Sequence, residues 1–451
     1  MKSAVKKNVS IKKSRILMGF LALAVALVAG VWHFSPWFRT WALGKVDQAR
    51  GAAIHYDLLD QVEARNIRQV MTADPSRSRV IQWQSDYPVK EEPVLEYRKA
   101  GESSLTAASV TEEKFTDGGK DTWIYTARLE QLEPGQAYEY RIRAGKKATE
   151  WMPLKAFAGN TFKALIFPDS QSADYSVWKA AAQPAWQRNP DASFFVNMGD
   201  LVDNGEDSNQ WNAWFGVVEP MAEKIPVAPL MGNHETYDLN WKVRMPEGYL
   251  HRFALPDNGR EKYRNQFYSF TVGDVHFVVL NTQNEELKEW EPDLARDQEA
   301  WFQEDMARNR GKWNIVLMHK DPLQYAFDPA TRPGRDRVEG FSPEGREWMP
   351  LFDRYGVDLV LSAHLHTYRN RGKIYDFQRA DRGPAYVITG VAGDVRYPGL
   401  WKRHALDVTL APQPETDNYL VLEKQEDQLR IQCFLPDGTL VDTVTVRKSG
   451  A

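Results

Sequence analysis

The chain has 451 residues, 43% apolar and 26% charged, the balance of an ordinary globular protein with enough length for two or three units. A formal net charge of -4 gives no electrostatic footprint for a nucleic-acid partner, and none is expected. Cys433 is the only cysteine, which excludes an intrachain disulfide and any thiol-rich zinc site, so a metal would have to sit on nitrogen and oxygen ligands.

Residues 1–15 form a basic tail with Lys2, Lys6, Lys7, Lys12, Lys13 and Arg15 and no acid. An apolar stretch over 16–34 follows, about 28 Å long if helical, which matches one hydrocarbon core. Positive charge ahead of such a span keeps the tail in the cytoplasm and puts the rest of the chain outside, in the periplasm or the extracellular space. Trp32, Trp37, Phe38 and Trp41 resemble an interfacial belt, which favours a retained transmembrane anchor; Ala24-Val25-Ala26 is a small-residue site that would release a secreted protein if cleaved as a signal peptide. Residues 35–65 read as a helical stalk or linker.

From 66 to 158 the texture changes to short alternating runs, such as Arg79–Trp83, Val94–Tyr97, Thr122–Ala127 and Ala137–Arg143, separated by Pro and Gly turns. That pattern predicts an all-β sandwich, and Trp83, Pro134-Gly135 and the Tyr138/Tyr140 pair give it a resemblance to fibronectin type III-like modules. Over 161–446 strands alternate with helices, predicted at 173–188, 208–222, 293–308 and 343–355, and Gly273-Asp274 is the two-residue turn of a hairpin. These units make a layered α/β domain.

Five apolar runs in this second part end on a residue able to bind metal: Lys163–Asp169, Ser193–Asp200, Val227–Asn233, Asn314–His319 and Asp358–His364. Runs of this length read as buried strands, and ligands of open α/β sheets gather beyond the carboxyl ends of strands. Taken singly, each such residue is more often a cap, a turn or a satisfied core group. Together, Gly199-Asp200-Leu201-Val202-Asp203, Gly232-Asn233-His234-Glu235, His319 and His364-Leu365-His366 hold four of the nine histidines, and chance does not place them so. No second histidine follows His234-Glu235 at helical spacing, which removes a zinc-protease reading.

The motif set resembles that of the calcineurin-like metallophosphoesterases, in the purple acid phosphatase-like branch with an N-terminal fibronectin type III-like domain. The resemblance implies a β-sandwich flanked by helices and two divalent ions, Mn, Fe or Zn. It places Asp169, Gln171, Asp200 and His366 on the first ion and Asp200, Asn233, His319 and His364 on the second, with Asp200 as the bridging carboxylate that such a pair requires. It further implies a hydroxide bridging the two ions as nucleophile on a small phosphomonoester, His234 as the acid and Asp203 as its orienting carboxylate. Tyr368, Arg369 and Arg252 are candidates for substrate contacts. Alternatives on the same site are phosphodiester or pyrophosphate cleavage, and a membrane-anchored binding protein without turnover. Two departures stand out: Gln171 occupies a position where histidine is usual, and Asp203 replaces the tyrosine whose phenolate colours purple acid phosphatases, so a colourless protein is expected.

Overall fold

The computed structural model describes residues 28–323, 326–327, 337–338, 340–395, 403–411 and 416–448. Most of the expected membrane segment, residues 16–27, lies outside that set, while 28–34 are helical. Among the described residues no helix is long and apolar enough to cross a membrane.

Helix α1 (Pro36–His55) starts where Ser35 Oγ accepts from the amide of Phe38 and Pro36 opens the first turn. Expected as part of a stalk, it lies against the α/β part instead. Arg39 pairs with Asp174 at 2.7 Å, Thr40 donates to the carbonyl of Ala173 at 2.7 Å, and Gly44 leaves room for Asn209.

Nine strands follow: β1 (Arg65–Val70), β2 (Arg79–Ser85), β3 (Pro93–Lys99), β4 (Thr106–Ala108), β5 (Val110–Asp117), β6 (Lys120–Leu129), β7 (Ala137–Ala144), β8 (Lys147–Ala148) and β9 (Met152–Lys155). They form the two faces of a sandwich around Trp83, Leu95, Tyr125, Tyr140 and Ile142, with Trp83 and Tyr125 stacked at 5.7 Å.

The α/β part is built from β10 (Phe162–Phe167), α2 (Tyr175–Arg188), β11 (Phe194–Asn197), α3 (Ser208–Ala222), β12 (Val227–Pro229), β13 (Tyr268–Val272), β14 (Val275–Leu280), α4 (Leu294–Arg308), β15 (Trp313–Met318), α5 (Pro343–Tyr355), β16 (Leu359–Ser362), β17 (Arg369–Tyr375), β18 (Ala385–Ile388), β19 (Tyr419–Gln425), β20 (Gln428–Phe434) and β21 (Leu440–Arg447). One sheet is ten strands wide, in the order β21-β20-β19-β10-β11-β12-β1-β2-β6-β5. The second runs β13-β14-β15-β16-β18-β17 with two-residue strands at one end. Phe162 and Phe194 of the first meet Phe277 of the second at 5.8 and 5.6 Å, so interdigitating aromatics fill the layer between the sheets.

The wide sheet crosses the boundary between the two parts that the sequence texture separates. Val70 of β1 pairs in parallel with Val227 of β12, and both are fully buried. Gln69 and Tyr140 donate to the carbonyl of Glu223 just past α3, at 3.0 and 2.8 Å, which satisfies an end-of-helix acceptor across the seam. Half of the N-terminal sandwich thereby covers what would be an open edge at β12.

Candidate metal centre

Strands β10, β11 and β12 run parallel and so do β14, β15, β16 and β18, so their carboxyl ends point the same way within each sheet. The first sheet delivers Asp169 and Gln171 after β10, Asp200 after β11 and Asn233 after β12. The second delivers His319 after β15 and His364 and His366 after β16. Asp200, His364 and His366 occupy left-handed backbone at φ 51°, 69° and 51°, which is uncommon for side chains of this size and clusters at functional sites.

Two groups of ligand-bearing side chains result, Asp200 with His319 and His364, and Asp169 with Asp200 and His366; within each group the donor atoms lie within 4.8 Å of one another. Asp200 belongs to both. Its Oδ2 is 3.1 Å from His319 Nε2, and its Oδ1 accepts from the amide of His234 at 2.8 Å. The Oδ1 of Asp169 lies 3.6 Å from His366 Nε2, and both its oxygens face the amide of His364. Asn233 Oδ1 is 3.3 Å from His319 Nε2.

Backbone carbonyls set the imidazole tautomers. His319 Nδ1 donates to Met198 at 2.8 Å and His366 Nδ1 to Val395 at 3.1 Å, which turns Nε2 of each ring toward the carboxylates. Gly199, at φ +96°, is needed here because a Cβ would sit 2.5 Å from His319 Nδ1.

The electrostatics are those of a cation site. Burial raises the Asp169 carboxyl to about 7, with Asp200 adding to the shift; burial pushes Asp200 upward too, but the surrounding imidazoles of His319, His234 and His364 together overcome it and hold that group well below the usual range. His319 itself is lifted to about 9 by Asp200 despite burial. Burial and the neighbouring His319 keep His364 far below the ordinary histidine value. Buried carboxylates that hold protons on nearby imidazoles are groups from which bound cations displace protons. Two acids, three imidazoles and two amide side chains fit a pair of divalent ions with oxygen and nitrogen preference.

His234 lies beside this cluster, 5% exposed. Its Nδ1 donates to the carbonyl of Asp203 at 2.8 Å and lies 3.2 Å from that residue's carboxylate, while Nε2 faces Gln171 at 3.2 Å. Burial would depress its pKa, but the carboxylates of Asp200 and Asp203 raise it to about 9.

The three candidate substrate contacts are not brought to this cluster. Tyr368 is fully buried with its hydroxyl on Asp442 at 2.9 Å, and Arg369 is buried with Asp407 at 3.3 Å. Arg252 is buried over the rings of Phe115 and Trp211, donating to the carbonyl of Gly248. Each is held by a structural partner within the fold.

Glu235 escaped sequence reasoning. One oxygen accepts from the amides of Gly232 at 2.7 Å and Asp200 at 2.9 Å, the other from Leu201 at 2.8 Å and Val202 at 3.2 Å. Its place directly after His234 was the available signal. Tyr237 and Trp241 were also missed; their rings stand edge-on to His234 at centroid distances of 5.4 and 6.0 Å.

Residues 163–368 match the family described as calcineurin-like phosphoesterase, and residues 64–158 match the purple acid phosphatase N-terminal domain. Acid phosphatase type 7 of Homo sapiens is 25% identical over 355 residues, 70% of this chain and 75% of that protein. Purple acid phosphatase 15 of Arabidopsis thaliana is 27% identical over 210 residues, 46% of this chain but only 36% of its own length. The structure of the purple acid phosphatase PPD1 from yellow lupin seeds superposes with a TM-score of 0.66 at 18% identity, covering 85% of this chain and 74% of that one, a likeness of fold. The fold and its paired acid and imidazole ligands define a metal-dependent phosphoesterase. The chain carries a calcineurin-like phosphoesterase domain preceded by a purple acid phosphatase N-terminal domain.

Proposed function

We propose that this protein hydrolyses phosphomonoesters at a dinuclear centre held by Asp169, Gln171, Asp200 and His366 on one side and Asp200, Asn233, His319 and His364 on the other. The observation that carries the reading is the pair of ligand groups sharing Asp200, with His234 set beside them on Asp203. The ions, when bound, supply Lewis acidity that makes water nucleophilic near neutral pH and neutralises charge on the phosphoryl oxygens. Water attacks phosphorus opposite the ester oxygen, the P–O bond breaks, and the departing oxygen takes the proton from His234 Nε2, leaving an alcohol and inorganic phosphate. Asp203 holds Nδ1 so that Nε2 is turned toward Gln171 and the ligand groups, and its carboxylate stabilises the protonated ring.

Sequence supports two further parts of this reading. The basic tail and the apolar stretch over 16–34 export the catalytic part, as an anchored protein or, after cleavage, a secreted one. The N-terminal strands make a fibronectin type III-like module with a supporting role.

The test is to load the full chain with Mn²⁺, count bound metal by mass spectrometry, and assay monoester, diester and pyrophosphate substrates beside Asp200→Asn and His234→Ala. Expected are about two ions per chain, monoester turnover, loss of metal in Asp200→Asn, and a loss of kcat of about 10² to 10⁴ with metal retained in His234→Ala. A metal-free wild type, or equal rates in all three proteins, overturns the reading. A faster diester rate reassigns the substrate class.

A further inference from the structure

We propose that Trp241 and Tyr237 form the leaving-group subsite of this enzyme and select phosphate esters whose alcohol carries a planar aromatic ring. The inference rests on the phosphomonoesterase reading, because it is the proton-donating role of His234 that puts the ester's alcohol beside these rings.

Trp241 is 54% exposed at the edge of the site, standing 6.0 Å from the His234 ring at an interplanar angle of 87° and 5.9 Å from Tyr237. The indole packs only one side against these rings, and the half left open to solvent suits a stacking partner. Its backbone sits at φ +62°, a left-handed conformation that bulky residues rarely adopt. Strain of this kind persists only where surrounding contacts over-determine it, and here they do.

Those contacts come from three directions. Asp238 Oδ1 accepts from the amides of Asn240 and Lys242, and the amide of Arg244 donates to the carbonyl of Thr236, so the loop closes on itself like a small hairpin. Glu206 accepts from the amide of Leu239 at 2.7 Å. Arg244 reaches Asp117 at the end of β5 at 2.6 Å, tying the loop to the N-terminal sandwich. With its loop anchored, the indole is held in place before a ligand arrives, which lowers the ordering cost of stacking.

The test compares benzyl phosphate with ethyl phosphate, whose alkoxide leaving groups are similar, using the full chain loaded with Mn²⁺. Binding of benzylphosphonate, which cannot be hydrolysed, is measured by calorimetry. Trp241→Ala is expected to raise KM for benzyl phosphate and weaken benzylphosphonate about tenfold, with ethyl phosphate changed less than about twofold and metal content unchanged. Trp241→Phe, which keeps a ring, is expected to stay within about threefold of the wild type. Equal losses on both esters, or unaltered benzylphosphonate binding in Trp241→Ala, overturn the subsite. A wild type that turns over neither ester overturns the phosphoesterase reading separately, since phosphonate binding still reports whether the rings hold an aromatic group.

Discussion

Glu235 joins the loops after β11 and β12 through four backbone amides, among them that of Asp200, so one buried carboxylate fixes the shared ligand of both groups. Burial and the nearby Asp200 raise its pKa to about 7, and the amides pull the other way. Glu235→Ala strands those amides and is expected to cost about 3 kcal/mol or more, measured by denaturant unfolding, together with a drop in bound metal. Glu235→Gln, which keeps one accepting oxygen, falls between. A variant with full metal content and unchanged stability removes Glu235 from the site's support. Five of the seven candidate metal ligands stood out in the sequence because each ends an apolar run and the runs recur, and Gln171 and His366 follow two residues beyond such ends. The role of Glu235 did not, because beyond its place directly after His234 a carboxylate that accepts from backbone amides leaves no mark in composition or spacing. Arg252, Arg369 and Tyr368 show the opposite case: each looks available in the sequence beside a motif, and only the structure shows the partner that holds it.

Among the elements, the helices α2 to α5 fall close to the predicted spans, and in α2, α3 and α5 a start signal, Asp174, Asp207 or Ser342, caps the first turn with its side chain. Gly356 at φ 66° ends α5 in the left-handed conformation that stops a helix. Helix α5 also carries a conflict. Glu347 is half-buried beside Glu344 and Glu299, and burial followed by these like charges raises it to about 7. A carboxyl that binds its proton more tightly in the folded state stabilises that state below the ordinary carboxyl range. The advantage declines as pH rises from about 4.5 to about 7 and is absent above that. Glu347→Gln is therefore expected to stabilise by about 1 kcal/mol at pH 8, after allowing for solvent screening, and by much less at pH 5. Denaturant midpoints at the two pH values, compared between variant and wild type, check this; an equal gain at both sinks it.

At the scale of the whole molecule, ligands from both sheets close one site between two layers, so metal binding and folding are linked. Chelation is expected to lower the melting temperature and added Mn²⁺ to restore it, a free ion at a hundred times its Kd contributing about 2.7 kcal/mol. Calorimetry with and without chelator is the check, and an unchanged transition in protein shown to have lost metal contradicts the link. The division into a sandwich and an α/β part could be read from the change of periodicity near residue 160, but the joint could not. Val70 and Val227 pair across 157 residues of sequence, and no local pattern records such a contact. That joint sets a rule of inheritance. A graft that exchanges the N-terminal module between relatives by cutting the chain near residue 160 also divides the wide sheet between β1 and β12. It leaves β12 as a bare edge, which invites a foreign strand. A chimera would keep its integrity only by carrying β12 and the end of α3 along with the module, so the unit of exchange is larger than the unit the sequence displays.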